Sequence, residues 1–549
     1  CGDKIMAKKI FYGQDARERV LTGAEQLYEA VKVTFGPKGG NAVIAKEYGG
    51  PIITHDGVTV AENIVLRDDK EEFLGQKVGA ELIKQAASKL NKKAGDGTTT
   101  VTVLTYHILK EANKLIVAGY NPQELRVGIE QAGAEIVAKL AKQAESIEGN
   151  NAKVAEVATI SAGSQEIGDL IAEVIAKIGK DGVVTVEPGQ SLAMESEVVE
   201  GYSLDKGFAS PFFVTDPARQ EAVYTKPDIL ITDQKISSVQ EFVPFLEKLA
   251  QAGKKDLVII ADEVDGEALS VLVLNKLKGV FNTVVIKAPA FGDKRKAIME
   301  DLAILTGATV VSKDHGLTFE NVGLEVLGSA RKVIVTKDDS TIIEGAGSSQ
   351  AVKNRIKQLA TWADNTSQTY EKDQFKARQA SLEGKVAVIK VGGATETEID
   401  EKKYRVDDAV AATKAALAEG IVAGGGVTLI NLASQLKISG SDAEKAGRQI
   451  LQTALKQPFV QIMKNAGLNA EALLAKVEEA KDGQGINVMQ PEAGLVDLKQ
   501  AGVVDPVRVT KEAILNSVSI AGTAITMGAL VVELPEEKPA PDMSGMGMM

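Results

Sequence analysis

The residues best suited to chemistry lie where glycine, threonine and aspartate come together at the start of a predicted helix. Residues 95–100 read Gly-Asp-Gly-Thr-Thr-Thr and lead into an apolar helical run. A helix N-terminus offers unpaired N–H donors and a positive dipole end to a phosphate, and threonine hydroxyls add hydrogen bonds. Asp96 supplies the hard oxygen that Mg²⁺ prefers. The alternative is that Asp96 and the threonines only cap the helix.

Two glycine-rich segments can bring backbone groups close to a ligand. Residues 34–40 read Thr-Phe-Gly-Pro-Lys-Gly-Gly and follow a predicted helix, so their N–H groups can approach an anion. Residues 424–426 are consecutive glycines between helical runs. They allow close approach either of a ligand or of another helix, and the sequence leaves both possibilities open.

Carboxylates elsewhere in the chain can act on a bound phosphate. Asp408, in the pair Asp407-Asp408, can orient water for attack on a γ-phosphate, although a solvated helix face is the commoner role of such a pair. Asp56, in His55-Asp56-Gly57, is a second candidate, with a plain turn as its alternative. The chain lacks a GxxxxGKS/T phosphate loop, and residues 343–350 carry an incomplete dinucleotide fingerprint to which we assign no function.

Composition narrows the kinds of chemistry that remain. The 549 residues carry a net charge of −12, which argues against a nucleic-acid partner because phosphate backbones bind concentrated basic surfaces. Cys1 is the only cysteine, so internal disulfides and cysteine-based zinc sites are excluded. The 3 histidines are too few for a histidine-rich metal centre. Carboxylates, hydroxyls and backbone groups must therefore carry the chemistry.

Hydrophobic spacing predicts the elements that hold these residues. Helical spacing of apolar residues predicts helices over 16–33, 76–93 and 100–117. Short β-rich runs are predicted at 42–45, 52–54 and 58–60. A helix that stops at Phe35-Gly36-Pro37 places the first glycine-rich turn directly after its end.

The centre of the chain has a different pattern. β-rich runs at 229–232, 257–261 and 283–287 alternate with helical runs at 238–251 and 266–278. Such alternation predicts a parallel α/β layer. From residue 401 the chain is helical again, like its first third. The two ends are therefore predicted to form one domain, with the centre inserted into it.

Neither the ends nor the most apolar segment predicts membrane association. The first residues lack the apolar core of a secretory signal, and residues 1–5 are expected to be an upstream extension of a start at Met6. Residues 513–532 are uncharged, but their polar side chains favour a buried helix over a membrane span. Residues 534–549 are expected to form a flexible Gly/Met tail. We therefore expect a cytoplasmic protein.

Together and in this order, these segments resemble those of the group I chaperonins, the GroEL-type 60 kDa chaperonin family. The resemblance runs from about Ala7 to Leu534 and includes the Asp505-Pro506 pair, residues 288–293 and the Gly/Met tail. Each motif alone is weak, but the ordered set is highly specific.

The resemblance implies a multidomain α/β fold. A mostly helical equatorial ATP-binding domain is expected from both chain ends, over 9–142 and 419–533. A small α/β intermediate hinge domain is expected over 143–199 and 387–418, and an inserted apical α/β domain over 200–386. The tail, 534–549, follows the equatorial domain.

The resemblance also implies an ATPase that drives protein folding. Members form seven-membered rings, usually stacked in pairs, which enclose non-native client proteins beneath a co-chaperonin of the GroES type. Asp56 and Asp408 would position the attacking water, and Asp96 would hold Mg²⁺, with K⁺ expected beside the phosphates. The remaining nucleotide contacts would be Thr34, Phe35, Gly36, Pro37, His55, Gly97, Thr98, Thr99, Thr100, Gly424, Gly425, Asn487 and Asp505.

The helix predicted at 266–278 carries apolar residues on almost every side. A helix of this kind is normally buried in a core, and the alternative is an exposed patch that binds protein. The resemblance favours binding of client chains and the co-chaperonin. The matching positions are Phe208, Phe212, Phe213, Val243, Leu246, Leu269, Val273, Leu274 and Asn275.

Several positions depart from the family pattern. His55 stands where a lysine is usual, Gly40 replaces an arginine, and Lys385 occupies a glycine position of the upper hinge. Val460 and Asn469 replace residues that form a charged pair between rings in some members, which leaves single and double rings open. The stretch 67–75 is longer than is typical.

Two other functions are alternatives to that of an ATP-driven chaperone. A metabolic phosphoryl-transfer enzyme would not explain the surplus apolar helices or the Gly/Met tail. A chaperonin-like scaffold without ATP turnover would not need Asp56, Asp96 and Asp408, all of which the chain has.

Overall fold

The computed structural model describes residues 7–45, 51–180, 182–189, 191–216, 219–366 and 368–534. The chain divides into two compact units. Unit 1 comprises residues 1–176, 188–194 and 391–549, and unit 2 comprises 177–187 and 195–390. This is the predicted multidomain α/β fold with an inserted centre. The finer division into equatorial, intermediate and apical domains stays a prediction, as do the properties of residues 1–5 and of the tail beyond Leu534, which lie outside the described residues.

The first part of unit 1 is mainly helical. Its elements are β1 (Lys8–Tyr12), α1 (Gly13–Val31), β2 (Ala42–Ile44), β3 (Ile52–Thr54), α2 (Gly57–Asn63), α3 (Gln76–Ala94), α4 (Thr98–Val117), α5 (Pro122–Gln143), α6 (Asn151–Ala162) and α7 (Gln165–Ile178). The strand predicted at 58–60 is wrong, because Asp56 accepts hydrogen bonds from the N–H groups of Val58 and Thr59 and so caps a helix there. Capping outweighs a short β-branched run.

Unit 2 is built on a large sheet. Its elements are β4 (Val183–Pro188), β5 (Glu195–Leu204), β6 (Ala222–Thr225), β7 (Asp228–Ile236), α8 (Val239–Gln251), β8 (Asp256–Val264), α9 (Gly266–Leu277), β9 (Asn282–Lys287), α10 (Gly292–Thr306), β10 (Gly328–Val335), β11 (Ser340–Gly345), α11 (Ser349–Asn365), α12 (Thr369–Leu382) and β12 (Lys385–Val391). The strand order is β4-β12-β5-β11-β10-β7-β8-β9, with β6 paired to β10.

The predicted parallel layer is one end of this sheet. Strands β7, β8 and β9 run parallel, with Ile229 opposite Val258 and Val258 opposite Val284. The pairs β10–β11, β10–β6, β10–β7, β11–β5 and β12–β5 are antiparallel, so the layer is mixed. Apolar residues of the parallel strands and of α8 and α10 form one buried core, which includes Phe242, Phe245, Ile259, Ile286 and Leu302.

The chain returns to unit 1 through a long helix. The remaining elements are α13 (Glu396–Glu419), β13 (Ile421–Ala423), α14 (Val427–Ser434), α15 (Asp442–Ala454), α16 (Gln457–Asn465), α17 (Ala470–Glu478), β14 (Gln484–Ile486), β15 (Leu495–Asp497), β16 (Val504–Pro506), α18 (Val507–Ile525) and β17 (Ala529–Glu533). The uncharged segment 513–532 therefore divides into the end of α18 and a strand. Among the described residues, no helix is both long and apolar enough to cross a bilayer.

Both chain ends meet in unit 1. Strand β1 pairs with β17 antiparallel, with Lys8 opposite Glu533. The core lies among α1, α3, α4, α5, α15 and α18, and its fully buried side chains include Leu27, Leu90, Leu104, Ile136 and Ile514. Helix α6 packs along α13, so residues far apart in the sequence share one side of the unit.

Candidate nucleotide site

Helix ends from distant parts of unit 1 converge where the sequence predicts a phosphate site. A Cβ added to Gly57 would lie 2.4 Å from the Thr99 hydroxyl, so the start of α2 contacts the start of α4. A Cβ added to Gly95 would lie 2.0 Å from the Ala411 Cβ, so the turn before α4 lies directly against α13. Glycine is required at both positions. These contacts bring Asp56, Asp96 and Asp408 into one another's field.

The N-terminus of α4 is open to a ligand. Its N-cap residue is Gly97, with φ of 87°, and among the described residues no side chain accepts a hydrogen bond from the N–H groups of Thr98, Thr99 or Thr100. The first-turn residues Thr98, Thr99 and Thr100 therefore present N–H groups that no capping side chain occupies. The alternative that Asp96 and the threonines only cap this helix is not realised. An anion at this helix end would meet unpaired donors and the positive end of the dipole.

Asp96 is held from both sides. One carboxylate oxygen accepts a hydrogen bond from the Gly97 N–H, and the other accepts one from the Ser161 hydroxyl at 2.9 Å. Burial raises the pKa of Asp96, and the negative charge of Asp56 raises it further. Ser161 lies in the last turn of α6. The sequence analysis missed it, because no local motif links it to a residue in another part of the chain.

Asp408 lies on α13 without a balancing cation. Burial raises its pKa well above the usual range, and the neighbouring Asp56, Asp96 and Asp407 raise it further. Within the described part of the chain, no group donates a hydrogen bond to the Asp408 side chain. Like charges gathered in a half-buried site destabilise one another, so this arrangement favours either a protonated acid or a bound cation.

Asp56 has a local structural role as well. Its carboxylate accepts hydrogen bonds from the N–H groups of Val58 (3.0 Å) and Thr59 (2.7 Å) and from the Thr59 hydroxyl (2.6 Å). These bonds fix the orientation of the carboxylate at the start of α2. His55 precedes it, half-buried, in the connection from β3.

The first glycine-rich turn closes on itself beside α16. Gly36 has φ of 79°, and its carbonyl accepts a hydrogen bond from the Gly39 N–H at 2.9 Å. Thr34 is buried, and its hydroxyl donates to the Val31 carbonyl at 2.9 Å, so that hydroxyl is already used by the end of α1. Phe35 packs against the apolar core of α14 and α16, and Pro37 continues the turn.

The second glycine-rich segment serves close packing. A Cβ on Gly426 would lie 2.8 Å from the Phe459 nitrogen, and one on Gly424 would lie 3.0 Å from Asp505 Oδ1. Gly425 lies between them with φ of 63°. The segment therefore approaches α16 on one side and the Asp505 carboxylate on the other. The helix-packing possibility is realised at Gly426.

Asp505 and Asn487 lie on short strands of the same unit. Asp505 is in β16, opposite Val422 of β13. Burial raises the pKa of Asp505 to about 7, with a smaller contribution from the charge of Asp96. Asn487 follows β14, and its side-chain oxygen Oδ1 accepts a hydrogen bond from the Met489 N–H at 3.0 Å. That bond belongs to a local turn.

The donor set suits Mg²⁺ carried by a nucleotide better than a metal bound by protein alone. Among the described residues, no group of three or more His, Cys, Asp or Glu side chains is spaced to hold a metal ion. Mg²⁺ is usually bound by one or two carboxylates together with substrate phosphates and water. The Asp96 carboxylate, beside an open helix N-terminus, fits that requirement.

Unit 2 exposes part of the apolar surface predicted to bind protein. Phe212 is 64% exposed and Leu274 is 49% exposed, while Phe208, Val243 and other predicted positions are half-buried. Phe213 and Leu246, at 0% and 6% exposure, are core residues here, because both belong to the apolar core of unit 2, Leu246 from the buried face of α8. The predicted surface therefore reduces to the remaining positions, Phe208, Phe212, Val243, Leu269, Val273, Leu274 and Asn275.

Comparison with known proteins agrees with this architecture. A profile of the TCP-1/cpn60 chaperonin family matches residues 27–534. Among solved structures, the chain is similar to the chaperonin gp146 from the bacteriophage EL 2 (Pseudomonas aeruginosa), crystallised in the presence of ATP-BeFx. The identity is 19%, the TM-score is 0.66, and the match covers 97% of this chain and 100% of that chain.

Proposed function

This chain belongs to the TCP-1/cpn60 chaperonin family, and from that premise we propose that it hydrolyses ATP to drive the capture and enclosure of non-native proteins. Its broad function, that of an ATP-dependent molecular chaperone, follows from the family. The finer statements are our proposal: which residues bind nucleotide, which surface binds clients, and how many subunits form the ring. No observation favours a metabolic phosphoryl-transfer enzyme.

The observation that carries the proposal is the open N-terminus of α4 beside unneutralised carboxylates. In the proposed complex the ATP phosphates lie against the N–H groups of Thr98, Thr99 and Thr100, with the 34–37 turn on another side. Asp96 holds Mg²⁺, which when bound neutralises phosphate charge. K⁺ beside the phosphates is proposed on the family resemblance alone. Gly424, Gly425, Asn487 and Asp505 hold the adenosine end.

Asp408 acts as the acceptor for the attacking water. Its carboxylate receives no hydrogen bond from the described residues, so it is available to orient a water molecule toward the γ-phosphate. Asp56, whose orientation is fixed by its N-cap bonds, is the second positioning carboxylate. A cation brought by the nucleotide would lower the pKa values of these acids, so the hydrolytic base would form only when substrate is present.

The proposed client and co-chaperonin surface lies on unit 2. Phe212 and Leu274 are exposed apolar side chains, and exposed apolar area marks protein-binding sites. ATP can withdraw this surface only if nucleotide binds two conformations of the protein with different affinity. We propose seven-membered rings, either single or stacked in pairs, that are closed by a co-chaperonin of the GroES type.

Particle imaging and ATPase assays test this function together. We expect heptameric rings and turnover that depends on Mg²⁺ and K⁺, and we expect Asp408→Ala to nearly abolish turnover while nucleotide still binds. A client-refolding assay with the co-chaperonin then separates a working chaperone from a scaffold. A monomeric protein, or a ring in which Asp408→Ala hydrolyses ATP at the wild-type rate, would overturn the proposal.

A further inference from the structure

A side chain of α16 holds two carbonyl groups of the nucleotide turn. Asn465, the last residue of α16, donates from Nδ2 to the Lys32 carbonyl at 2.8 Å and to the Phe35 carbonyl at 2.9 Å. The Lys32 carbonyl also accepts the Phe35 N–H at 3.2 Å. One amide group therefore joins Lys32, two residues before Thr34, to Phe35, the residue after it. These bonds cross 430 or more positions of sequence, and no local motif predicts them.

The Asn465 amide is itself oriented by its neighbours. Gln461, one helical turn earlier, donates from Nε2 to Asn465 Oδ1 at 2.7 Å. Because Oδ1 is engaged by this donor, Nδ2 faces the two carbonyls. Gln461 is buried, and its own Oε1 accepts a hydrogen bond from the Tyr28 hydroxyl of α1 at 3.2 Å. The chain of bonds thus runs from α1 through α16 to the turn.

Apolar packing supports the same contact. A Cβ added to Gly36 would lie 3.2 Å from Ile462 Cγ1, so α16 lies directly beneath the turn. Phe35 packs against the core cluster that contains Phe459 and Ile462. The face of α16 formed by Gln461, Ile462 and Asn465 therefore contacts both the backbone and the side chains of the turn.

We propose that Gln461 and Asn465 are positioning residues that hold the 34–37 turn in the shape that binds nucleotide. This inference rests on the proposed function, since it assumes that the turn contacts ATP. With the carbonyls of Lys32 and Phe35 held toward Nδ2, the backbone of the turn has less freedom to rearrange before binding. A contact of this kind supports the ground state and the transition state alike, so it acts on affinity more than on the chemical step.

Asn465→Ala is the first test. Losing the amide leaves two carbonyls without this donor, and we expect nucleotide to bind about tenfold more weakly. The kcat at saturating ATP should change by less than about twofold, because the reacting groups are untouched. Calorimetric titration with ADP and steady-state ATPase assays measure the two quantities. Amide exchange should also become faster at Gly39 and Gly40, whose N–H groups bond within the turn.

Asn465→Asp sharpens the test, because it places a carboxylate against two carbonyl oxygens and should weaken binding more than Asn465→Ala does. Lys464→Ala is the matched control, since this exposed neighbour on the same helix forms an ion pair with the exposed Glu471 at 3.6 Å and should leave affinity unchanged. If Asn465→Ala does not assemble, Gln461→Met carries the same test, because it removes the group that orients the Asn465 amide.

The outcomes separate this inference from the proposed function. A wild-type ring that binds no ADP or ATP would overturn both. A wild-type ring that binds nucleotide, with Asn465→Ala and Asn465→Asp binding equally well, would overturn the positioning role alone. Loss of kcat without loss of affinity would also contradict it, since that pattern belongs to a residue acting in the chemical step.

Discussion

Two aspartates, the buried Asp301 of unit 2 and the half-buried Asp408 of unit 1, have opposite surroundings. In unit 2, Asp301 is 0% exposed and accepts hydrogen bonds from Arg355 Nε at 2.8 Å and from Arg378 Nε and Nη2 at 2.6 Å and 2.9 Å. In unit 1, Asp408 has other acids as neighbours and receives no hydrogen bond from the described residues. The same residue type is neutralised in one unit and left unbalanced in the other.

This difference separates a structural charge from a functional one. A buried charge is tolerated when it is paired and hydrogen-bonded, as in the ionic group that joins α10, α11 and α12 through Asp301. Around Asp408 the described residues supply no such partner. The raised pKa of Asp408 favours the protonated acid, so the ionised carboxylate needs a neighbouring positive charge, and Mg²⁺ bound to ATP is its proposed source.

The largest expected effect is on turnover, through Asp408→Asn. The amide cannot accept a proton from water, so we expect kcat to fall by about 10²–10⁴-fold. The free energy of unfolding without nucleotide should stay equal or rise, because one member of a repelling group becomes neutral. Steady-state ATPase assays and urea unfolding measure these quantities. A marked loss of stability would mean that Asp408 is a structural charge like Asp301.

The next effect is on stability, through Asp301→Ala. Removing Asp301 takes a buried carboxylate from both Arg355 and Arg378, of which Arg355 keeps its ion pair with Glu300, and we expect a loss of about 3–5 kcal/mol. Because Asp301 and the nucleotide site belong to different units, ADP affinity of the folded protein should be unchanged. Urea unfolding and calorimetric ADP titration measure the two. Weakened ADP binding with normal stability would contradict the contrast.

Two leucines extend the contrast to the apolar residues of unit 2. Leu246 is 6% exposed, and Leu246→Ser should destabilise the fold by about 2–4 kcal/mol. Leu274 is 49% exposed, and Leu274→Ser should leave stability within about 0.5 kcal/mol while weakening capture of a denatured client several-fold. Thermal unfolding and a client-binding assay distinguish them. Equal destabilisation by both would make Leu274 a core residue.

The smallest expected effect concerns pH and Asp505. The folded-state pKa of about 7 lies above the ordinary value of 3.8, so the fold favours the protonated acid. The stabilisation that this pKa shift adds to the free energy of unfolding is complete below about pH 4 and is lost as pH rises through about 7. At pH 8, Asp505→Asn should therefore be more stable than wild type by about 1–2 kcal/mol. This is less than the free energy that corresponds to the whole pKa shift, because the carboxyl is partly solvated. At pH 4 the two proteins should match.

Urea unfolding of nucleotide-free protein across this pH range measures the Asp505 effect. The difference between variant and wild type is the quantity to follow, since other acids titrate in both proteins. A difference that does not change with pH would show that Asp505 is ionised throughout.

The parts of the fold predictable from sequence were those with long local patterns. The apolar spacing around Leu27, Leu90 and Leu104 indicated α1, α3 and α4, whose bounds the structure places within a few residues of the predictions. The run at 58–60 was misread because the Asp56 cap, a single side chain, decided the backbone conformation there. Short segments contain too few residues for periodicity to outweigh one hydrogen-bonded cap.

Site residues likewise differ in whether a local sequence pattern predicts them. Asp96 and Thr98 could be predicted from sequence because they lie at the start of a helix, where the chemistry depends on local backbone geometry. Ser161 and Asn465 could not be predicted in this way, because their hydrogen bonds to Asp96 and to the Lys32 carbonyl form only when helices distant in sequence pack together. Helical spacing also cannot say which apolar face of α8 covers the sheet, and the client-surface role of Leu246 was implied by the family resemblance alone; its burial is a tertiary fact.

The sequence by itself determined the chemistry of this protein: an acidic chain with one cysteine and 3 histidines, whose reactive groups are carboxylates, threonines and glycine-rich backbone. Local patterns also determined most helices, since a helix depends on neighbours within a few residues. Only the tertiary structure decided that, among the described residues, Asp408 receives no hydrogen bond while Asp301 has two arginine partners, and that α16 supports the 34–37 turn. Those facts depend on contacts between residues 54 to 433 positions apart, where burial removes solvent and makes each partner decisive.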